Sequence, residues 1–366
     1  MYMSQAYFLQ QFKAVAHINI AQAAPICIAK RLALMATLAG VMALPVVPVM
    51  AQAQTAPTTP APASAAGEVT LSINDWLLNM HEAAMKKRSY IGTLVQSSAQ
   101  GMGSARIWHA CDGAQQMERV ETLTGAPRST FRHNEKLVTF LPEVKLARIE
   151  KREDIAGFPA VLRPGVNSIP EFYGVKALGV ERIAGLDADL VQLMPKDPLR
   201  YGYRIWTEKK SGLVVKLQTL DATGSVLEQA AFSELQLDAP VKMDKLLQMM
   251  AATDGYKIER PELIKTTAIA EGWALKSAVP GFKPLSCYKR SASADSTLQW
   301  IFSDGLATVS LFVENYDKSR HSQEGVLAQG ATQTLFKRLD SYWLTAVGEV
   351  PLQTLKTFAA GLERKR

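Results

Sequence analysis

The side chains best suited to chemistry are scattered along this chain in no arrangement that catalysis or metal binding requires. His81, His109, His133 and His321 stand apart, and none belongs to an HxH, HxxxH or HExxH pattern that would hold a metal ion. Arg106 and His109 are three residues apart on a predicted strand, where such positions face opposite sides of a sheet. The sequence also lacks GxSxG, P-loop, GxGxxG and CxxC patterns. The chain is therefore predicted to be no enzyme and to carry no metal or cofactor.

Two of the three cysteines, Cys111 and Cys287, lie downstream of the amino-terminal region. In an oxidising compartment, two cysteines far apart in the sequence favour a single disulfide bond. Such a bridge would tie together two parts of the chain that are predicted below to be separate domains. Two separate buried thiols are the alternative, because the sequence does not set the distance between the two Cα atoms.

The amino-terminal region has the layout of a secretory signal. Lys30 and Arg31 precede the apolar run Leu32–Met50, and small residues then match a cleavage site after Ala53. A membrane anchor needs ~20 apolar residues, but two prolines interrupt this run. Cleavage and export therefore fit the sequence better than anchoring.

The remaining chain is too long for one core of ~100–200 residues, so two domains are expected. The formal charge of +7 falls to +4 when Lys13, Lys30 and Arg31 leave with the signal. Nucleic-acid binding is not indicated, because it requires clustered basic residues. The predicted organisation is a signal peptide (1–53), a disordered spacer (54–68), a first domain (69–238), a linker (239–267) and a second domain (268–366).

The order of elements predicts an α+β fold for the first domain. An amphipathic helix with apolar positions from Ile73 to Ala84 precedes a run of strands. One helix followed by several strands argues against a parallel βαβ sheet and favours an antiparallel one. Turns containing Gly212 and Gly224 predict a meander of the last three strands. The predicted strands are Ser89–Gln96, Ser104–Ala110, Gln115–Thr122, Lys136–Leu141, Asp189–Met194, Tyr201–Thr207, Leu213–Thr219 and Val226–Phe232.

The second domain is predicted to be a smaller antiparallel sheet with a carboxy-terminal helix, preceded by a short Met-rich helix at Met243–Ala251. Asp304 and Gly305 turn its first hairpin, and Pro351 occupies the first position of the final helix. The apolar face of that helix is predicted to pack back on the sheet. The predicted strands are Thr297–Phe302, Leu306–Glu314, Ala331–Leu339 and Tyr342–Val347.

Large apolar side chains fall on successive strands of the first domain. If the sheet is strongly curved, its inner face would line a cavity able to hold an acyl chain. An ordinary core between the sheet and its covering helix explains the composition equally well. The side chains concerned are Tyr90, Leu94, Trp108, Met117, Phe140, Tyr203 and Trp206.

Several short segments between Val69 and Leu362 carry a resemblance to a known family. They are Tyr90–Leu94, Arg106–His109, Tyr201–Trp206, Pro280–Phe282, Ser303–Leu306 and Val347–Pro351. The last three are the most specific. On these segments the chain resembles the RseB/MucB family of periplasmic regulators of the envelope-stress sigma factor.

The resemblance implies a first domain similar to the lipoprotein carriers LolA and LolB, a curved antiparallel half-barrel closed by helices. It implies a negative regulator that binds the periplasmic part of a membrane-spanning anti-sigma factor of the RseA/MucA type. Binding would protect that segment from site-1 proteolysis, and lipopolysaccharide or another acylated lipid would release it. A periplasmic lipid or lipoprotein carrier of the LolA type is the alternative function. Whether the chain forms a homo-oligomer stays open.

Two sets of residues are predicted to bind these ligands. Tyr90, Trp108, Phe140 and Trp206 are assigned to the lipid cavity. Arg338 and Tyr342 of the second domain are assigned to the partner peptide.

Overall fold

The computed structural model describes residues 88–112, 115–151, 169–292, 295–321 and 323–365. The predicted signal peptide, spacer and opening helix lie outside the described residues. Within the described residues, the protein consists mostly of antiparallel β-sheets with few helices. No helix among them is both long and apolar enough to cross a membrane.

The first sheet has twelve strands in the described part of the chain. Its hydrogen-bonded order is β12-β6-β5-β4-β3-β2-β1-β11-β10-β9-β8-β7, and every pair is antiparallel except β12 with β6. The strands are β1 (Tyr90–Ser98), β2 (Gly101–Cys111), β3 (Gln116–Thr122), β4 (Ser129–His133), β5 (Lys136–Leu141), β6 (Leu146–Lys151), β7 (Tyr173–Ile183), β8 (Leu186–Pro195), β9 (Gly202–Glu208), β10 (Val214–Leu220), β11 (Val226–Leu237) and β12 (Lys257–Glu259).

The second sheet has seven strands among the described residues, in the order β13-β15-β16-β17-β20-β19-β18, and β14 pairs with β21 beside it. These strands are β13 (Glu262–Lys265), β14 (Trp273–Leu275), β15 (Lys283–Ala292), β16 (Asp295–Ser303), β17 (Thr308–Asn315), β18 (Gly325–Gln329), β19 (Thr332–Leu339), β20 (Tyr342–Gly348) and β21 (Leu362–Arg364). The described helices are α1 (Ile169–Phe172), α2 (Met243–Ala251) and α3 (Leu352–Gly361), with a 3-10 turn at Pro142–Val144.

The predicted meander is confirmed, because β9, β10 and β11 pair in sequence as antiparallel neighbours. The first sheet also curls. Although β8, β9 and β10 separate β7 from β11 in the hydrogen-bonding order, the two strands approach within 8 Å between Cα atoms.

The helices each cover one part of a sheet. Leu246 and Met250 of α2 are buried against β3 and β4. Leu355 and Phe358 of α3 are fully buried in the core of the second sheet, which confirms the predicted packing. Helix α3 begins at Leu352, one residue later than predicted, with Pro351 at the N-cap position.

The segment 239–267, expected to be a linker, carries three elements. Helix α2 packs on the first sheet, β12 extends that sheet at its edge, and β13 pairs with β15 of the second sheet. The chain therefore passes from one sheet to the other through only Arg260 and Pro261.

Candidate functional site

Two of the segments that carry the resemblance, Pro280–Phe282 and Ser303–Leu306, meet the first domain at one buried arginine, Arg200. Arg200 lies in the loop between β8 and β9, and its side chain is fully buried. Its Nη1 donates to Asp304 Oδ2 at 2.7 Å, and its Nη2 donates to the carbonyl oxygen of Pro280 at 2.7 Å. Its Nε donates to Asp197 Oδ1 at 2.9 Å. We call this cluster, formed by Arg200, Asp197, Asp304, Tyr173 and Pro280–Phe282, the Arg200 joint.

The side chain of Asp304 stabilises the turn in which it lies. Its Oδ1 accepts hydrogen bonds from the backbone nitrogens of Leu306 (2.9 Å) and Ala307 (2.7 Å), so one carboxylate oxygen holds the β16–β17 turn. Gly305 supplies the positive φ of 105° that this turn needs. The other oxygen, Oδ2, is thereby aimed at the first domain, where it meets Arg200 and the hydroxyl of Tyr173 at 2.9 Å.

Aromatic rings close the Arg200 joint on several sides. The guanidinium carbon of Arg200 lies 4.3 Å from the ring centroid of Phe172 and 5.3 Å from that of Phe282. A cation held between rings and carboxylates loses little by leaving water, because each of these groups replaces part of its hydration. The joint is thus built from both domains, and each half finds part of its hydrogen-bond partners in the other.

The charge states in the Arg200 joint follow from its contacts. Burial alone would lower the pKa of Arg200, but the hydrogen bond to Asp197 and the charge of Asp304 outweigh burial and raise the pKa. Burial, together with the charge of Asp304, raises the pKa of Tyr173 well above its ordinary value. The phenol therefore keeps its proton, and its hydroxyl donates a hydrogen bond to Asp304 Oδ2.

Three further hydrogen bonds join the two domains. The hydroxyl of Thr354, on α3, donates to the carbonyl oxygen of Leu199 at 2.5 Å. At the β18–β19 turn, the backbone nitrogens of Gly330 and Ala331 donate to Gln100 (2.8 Å) and Glu228 (3.3 Å) of the first sheet.

Replacing Thr354 by valine is expected to lower the free energy of unfolding by about 1 kcal/mol, because the shape is kept while the hydrogen bond to Leu199 is lost. Urea unfolding followed by circular dichroism measures this change. Thr357→Val is the matched control, since Thr357 lies one turn later on α3 and donates only to Gln353 of its own helix. Equal costs for the two variants would contradict a contribution from the contact between domains.

The four residues predicted to line one cavity lie on two faces of the first sheet. Tyr90 pairs with His109, whereas Trp108 pairs with Ile91 and Arg119, so Trp108 points away from the Tyr90 face. Following the register across the sheet places Phe140 and Trp206 on the same side as Trp108. The set as predicted therefore does not form a single surface.

The three side chains opposite Tyr90 have other partners. Trp108 stacks with Arg119 at 4.6 Å, and Phe140 joins the core under α2. Trp206 donates its indole hydrogen to Glu181 at 2.8 Å and lies beneath the Lys216 ammonium. The buried apolar side chains that share the Tyr90 face are Leu94, Ile107, Tyr203, Ile205, Leu217 and Phe232. Alternation along each strand tells which side chains of that strand point to opposite faces. Only the pairing register between strands shows which side chains of different strands share a face.

Arg338 and Tyr342, predicted to contact the partner peptide, also fall on opposite faces. Arg338 pairs with Trp343, and Leu339 pairs with Tyr342. The Arg338 guanidinium lies 4.0 Å from the ring centroid of Tyr316. Tyr342 packs edge-on against Trp273. Both residues have partners within their own domain.

The predicted disulfide is not present in the structure, which has both cysteines as free thiols. Cys111 ends β2 of the first sheet and is half-buried, with its sulfur 3.0 Å from His109 Nε2. Cys287 is buried in the core of the second sheet. Each sulfur packs within its own domain, so the alternative of two separate thiols describes the structure. The described residues hold no group of three or more His, Cys, Asp or Glu side chains able to bind a metal ion.

Comparison with known proteins matches two parts of the chain to the two domains of one family. Residues 72–250 match the MucB/RseB N-terminal domain, and residues 267–363 match the MucB/RseB C-terminal domain. The chain is 25% identical over 277 residues to the sigma-E factor regulatory protein RseB of Haemophilus influenzae, covering 75% of this chain and 85% of that protein. It is 26% identical over 304 residues to the sigma factor AlgU regulatory protein MucB of Pseudomonas aeruginosa, covering 79% and 90%.

The fold agrees with solved structures of the same kind. The crystal structure of MucB in complex with MucA(peri) superposes with a TM-score of 0.61 at 24% identity, covering 81% of this chain and 100% of that one. The complex structure of Pseudomonas aeruginosa MucA/MucB gives a TM-score of 0.60 at 23% identity, covering 80% and 98%. Since both family domains match in order and together span more than half of the sequence, the chain belongs to the MucB/RseB family.

Proposed function

We propose that this protein is a periplasmic negative regulator of sigma-E-type signalling, which binds the periplasmic part of a transmembrane anti-sigma factor of the RseA/MucA type. Relatives that match along most of their length are named as regulatory proteins of sigma factors, not as enzymes. MucB has been solved together with the periplasmic part of MucA. The secretory layout ending at Ala53 supports export to the compartment where such a segment lies.

The Arg200 joint is the observation that carries this proposal beyond likeness. A lipid carrier needs one cavity and no second domain. Here the Pro280–Phe282 and Ser303–Leu306 segments serve to fix the second domain against the first. An arrangement that holds two sheets in one orientation presents a composite surface on which a long peptide segment can bind.

Two sheet edges offer positions for that segment. Strand β18 ends the second sheet, and all five of its residues are exposed, including Val326 and Leu327. Strand β7 ends the first sheet, with an exposed run that includes Leu178 and Val180. An extended peptide can add to either edge through backbone hydrogen bonds, while pockets for alternate side chains set the specificity. Occupation of an edge would shield the peptide from site-1 proteolysis.

The first domain is proposed to sense lipid as a LolA-like half-barrel. The curl that brings β7 near β11 and the apolar side chains that share the Tyr90 face support this. An acyl chain of lipopolysaccharide bound against that face would release the peptide if it favoured the peptide-free state, by the difference in its affinity for the two states.

Calorimetry of the purified protein against the periplasmic segment of the anti-sigma factor encoded in the same genome tests the proposal. We expect saturable binding with a Kd of roughly micromolar or tighter, as for a specific protein contact. A scrambled segment of the same composition is the control. Adding lipopolysaccharide is expected to weaken binding of the native segment. If the folded protein does not bind the native segment, the regulatory function is refuted.

A lipid or lipoprotein carrier is the second candidate, favoured by the apolar Tyr90 face. A pull-down from an envelope extract separates the two. Recovery of acylated cargo without any sigma-factor inhibitor would support transport, and recovery of the inhibitor would support regulation.

A further inference from the structure

A cluster of nucleophilic and titratable side chains lies on the first sheet, away from the Arg200 joint. His109 and Cys111 are two residues apart on β2 and therefore project from the same face. Strand β3 places Glu118 directly opposite His109, and β1 places Tyr90 opposite it on the other side. Three adjacent strands thus bring a thiol, an imidazole, a carboxylate and a phenol together.

The distances in this cluster place a basic nitrogen beside the thiol. The sulfur of Cys111 lies 3.0 Å from His109 Nε2, and His109 Nδ1 lies 3.5 Å from Glu118 Oε2. The Tyr90 ring stacks on the imidazole with centroids 4.9 Å apart and planes 20° apart, which restrains the ring. His109 and Glu118 are buried, at 8% and 6% exposure, while Cys111 at the end of the strand is half-buried. The base is therefore held in the interior, and Cys111 is more exposed than His109 or Glu118.

The surroundings of His109 favour its charged form. Burial alone would lower the pKa of His109, but the hydrogen bond to Cys111 and the contact with Glu118 raise it to about 9. An imidazolium beside a sulfur stabilises the thiolate, which is the nucleophilic form of cysteine.

We propose that Cys111 is a modification site, a reactive thiol activated by His109 and positioned through Glu118, that exchanges with low-molecular-weight disulfides. With the shared proton on His109 Nε2, the Cys111 thiolate attacks one sulfur of the disulfide. The new bond joins Cys111 Sγ to that sulfur, and the reagent's own S–S bond breaks. The second sulfur leaves as a thiolate and takes that proton from His109, so one mixed disulfide and one free thiol result.

The second cysteine supplies an internal control in the same molecule. Cys287 is buried in the second core, and burial together with the charge of Glu271 raises its pKa to about 11. Among the described residues it is the other cysteine, and nothing about its surroundings favours a thiolate.

The experiment treats the purified protein with an aromatic disulfide at neutral pH and follows each cysteine peptide by mass spectrometry. Cys111 is expected to react at least about tenfold faster than both Cys287 and free glutathione, since a thiolate is the attacking species. His109→Gln is expected to slow Cys111 by about tenfold or more, and Glu118→Gln by a smaller factor. His133→Gln is the matched control, because His133 belongs to β4 and bonds Gln115 at 2.9 Å instead.

Thiolate absorbance in the ultraviolet gives an independent readout of activation. We expect the unmodified protein to show more of this absorbance than the Cys111→Ser and His109→Gln variants. Thermal melting shows which variants are folded. If His109→Gln does not fold, the Glu118→Gln rate and the comparison with glutathione still decide. Reaction of Cys111 no faster than glutathione, or a folded His109→Gln protein with the original rate, would overturn the proposal.

Discussion

Replacing Arg200 by alanine is expected to lower the free energy of unfolding by about 3–5 kcal/mol, the cost of leaving one partner of a buried ion pair unpaired. Arg200 and Asp304 are both fully buried and 2.7 Å apart. Without the guanidinium, Asp304 Oδ2 loses its charged hydrogen-bond donor, and the carbonyl oxygen of Pro280 loses the hydrogen bond from Arg200. The rings of Phe172 and Phe282 also lose the group packed between them. Urea unfolding, followed by tryptophan fluorescence, measures the change.

An exposed arginine in an ion pair of the same type is the control for this experiment. Arg320 lies 3.1 Å from Asp317, and both side chains are more than 40% exposed. Its replacement by alanine is expected to cost at most about 1 kcal/mol, because water replaces a surface partner. If Arg200→Ala cost no more than Arg320→Ala, the Arg200 joint would not be what holds the two domains together.

Local patterns in the sequence predict helices α2 and α3 and most of the interior strands. The Met-rich segment predicted to be a helix, Met243–Ala251, has the same bounds in the structure. Turn glycines such as Gly212 and Gly224 have positive φ angles of 67° and 84°, which is why the meander could be recognised from the sequence. Such features depend on neighbours within a few residues of each other.

Edge strands were missed for a physical reason. All residues of β18 are exposed, and β7 is exposed along most of its length, so neither shows the alternation of a half-buried strand. The strand β12 is only three residues long and joins the sheet by parallel pairing with β6, more than a hundred residues earlier. No pattern among neighbouring residues predicts that such a segment forms a strand.

The contacts between the domains and the faces of the sheet also depend on residues far apart in the sequence, so local patterns do not predict them. The segment around Asp304 was recognised as specific, but its partner Arg200 is 104 residues away, so its role in joining the domains had no local signal. The face shared by cavity residues depends on the register across many strands, which is why Tyr90 was grouped with Trp108. The pairing of His109 with Cys111 did have a signal, because residues two apart on a strand share a face. The spacing matches none of the metal-binding patterns, so it does not by itself indicate a site.

Replacing Gly281 by alanine is the second change expected to have a large effect. Gly281 has a φ of +79°, and a Cβ at this position would lie 2.8 Å from Arg200 Nη2 and 2.9 Å from the ring of Phe172. An arginine on the surface would move aside, but the Arg200 guanidinium is fixed by Asp304, Asp197 and the carbonyl oxygen of Pro280. The added methyl group must therefore displace either the backbone or the ion pair. We expect the strain of positive φ, about 1–2 kcal/mol, plus roughly 1–3 kcal/mol for overpacking.

Gly224 allows the cost of backbone strain to be measured separately from the cost of overpacking. It has a φ of +84°, close to that of Gly281, but nothing lies within 4 Å of a Cβ built on it. Gly224→Ala is therefore expected to cost only the backbone strain, and the difference between the two variants measures the crowding at Arg200. Combining Gly281→Ala with Arg200→Ala should recover part of that difference, because the clashing guanidinium is gone, and non-additivity is expected for side chains in contact. Equal costs at Gly281 and Gly224, or strictly additive costs in the double variant, would show that Gly281 is not required for the close approach of the second domain to Arg200.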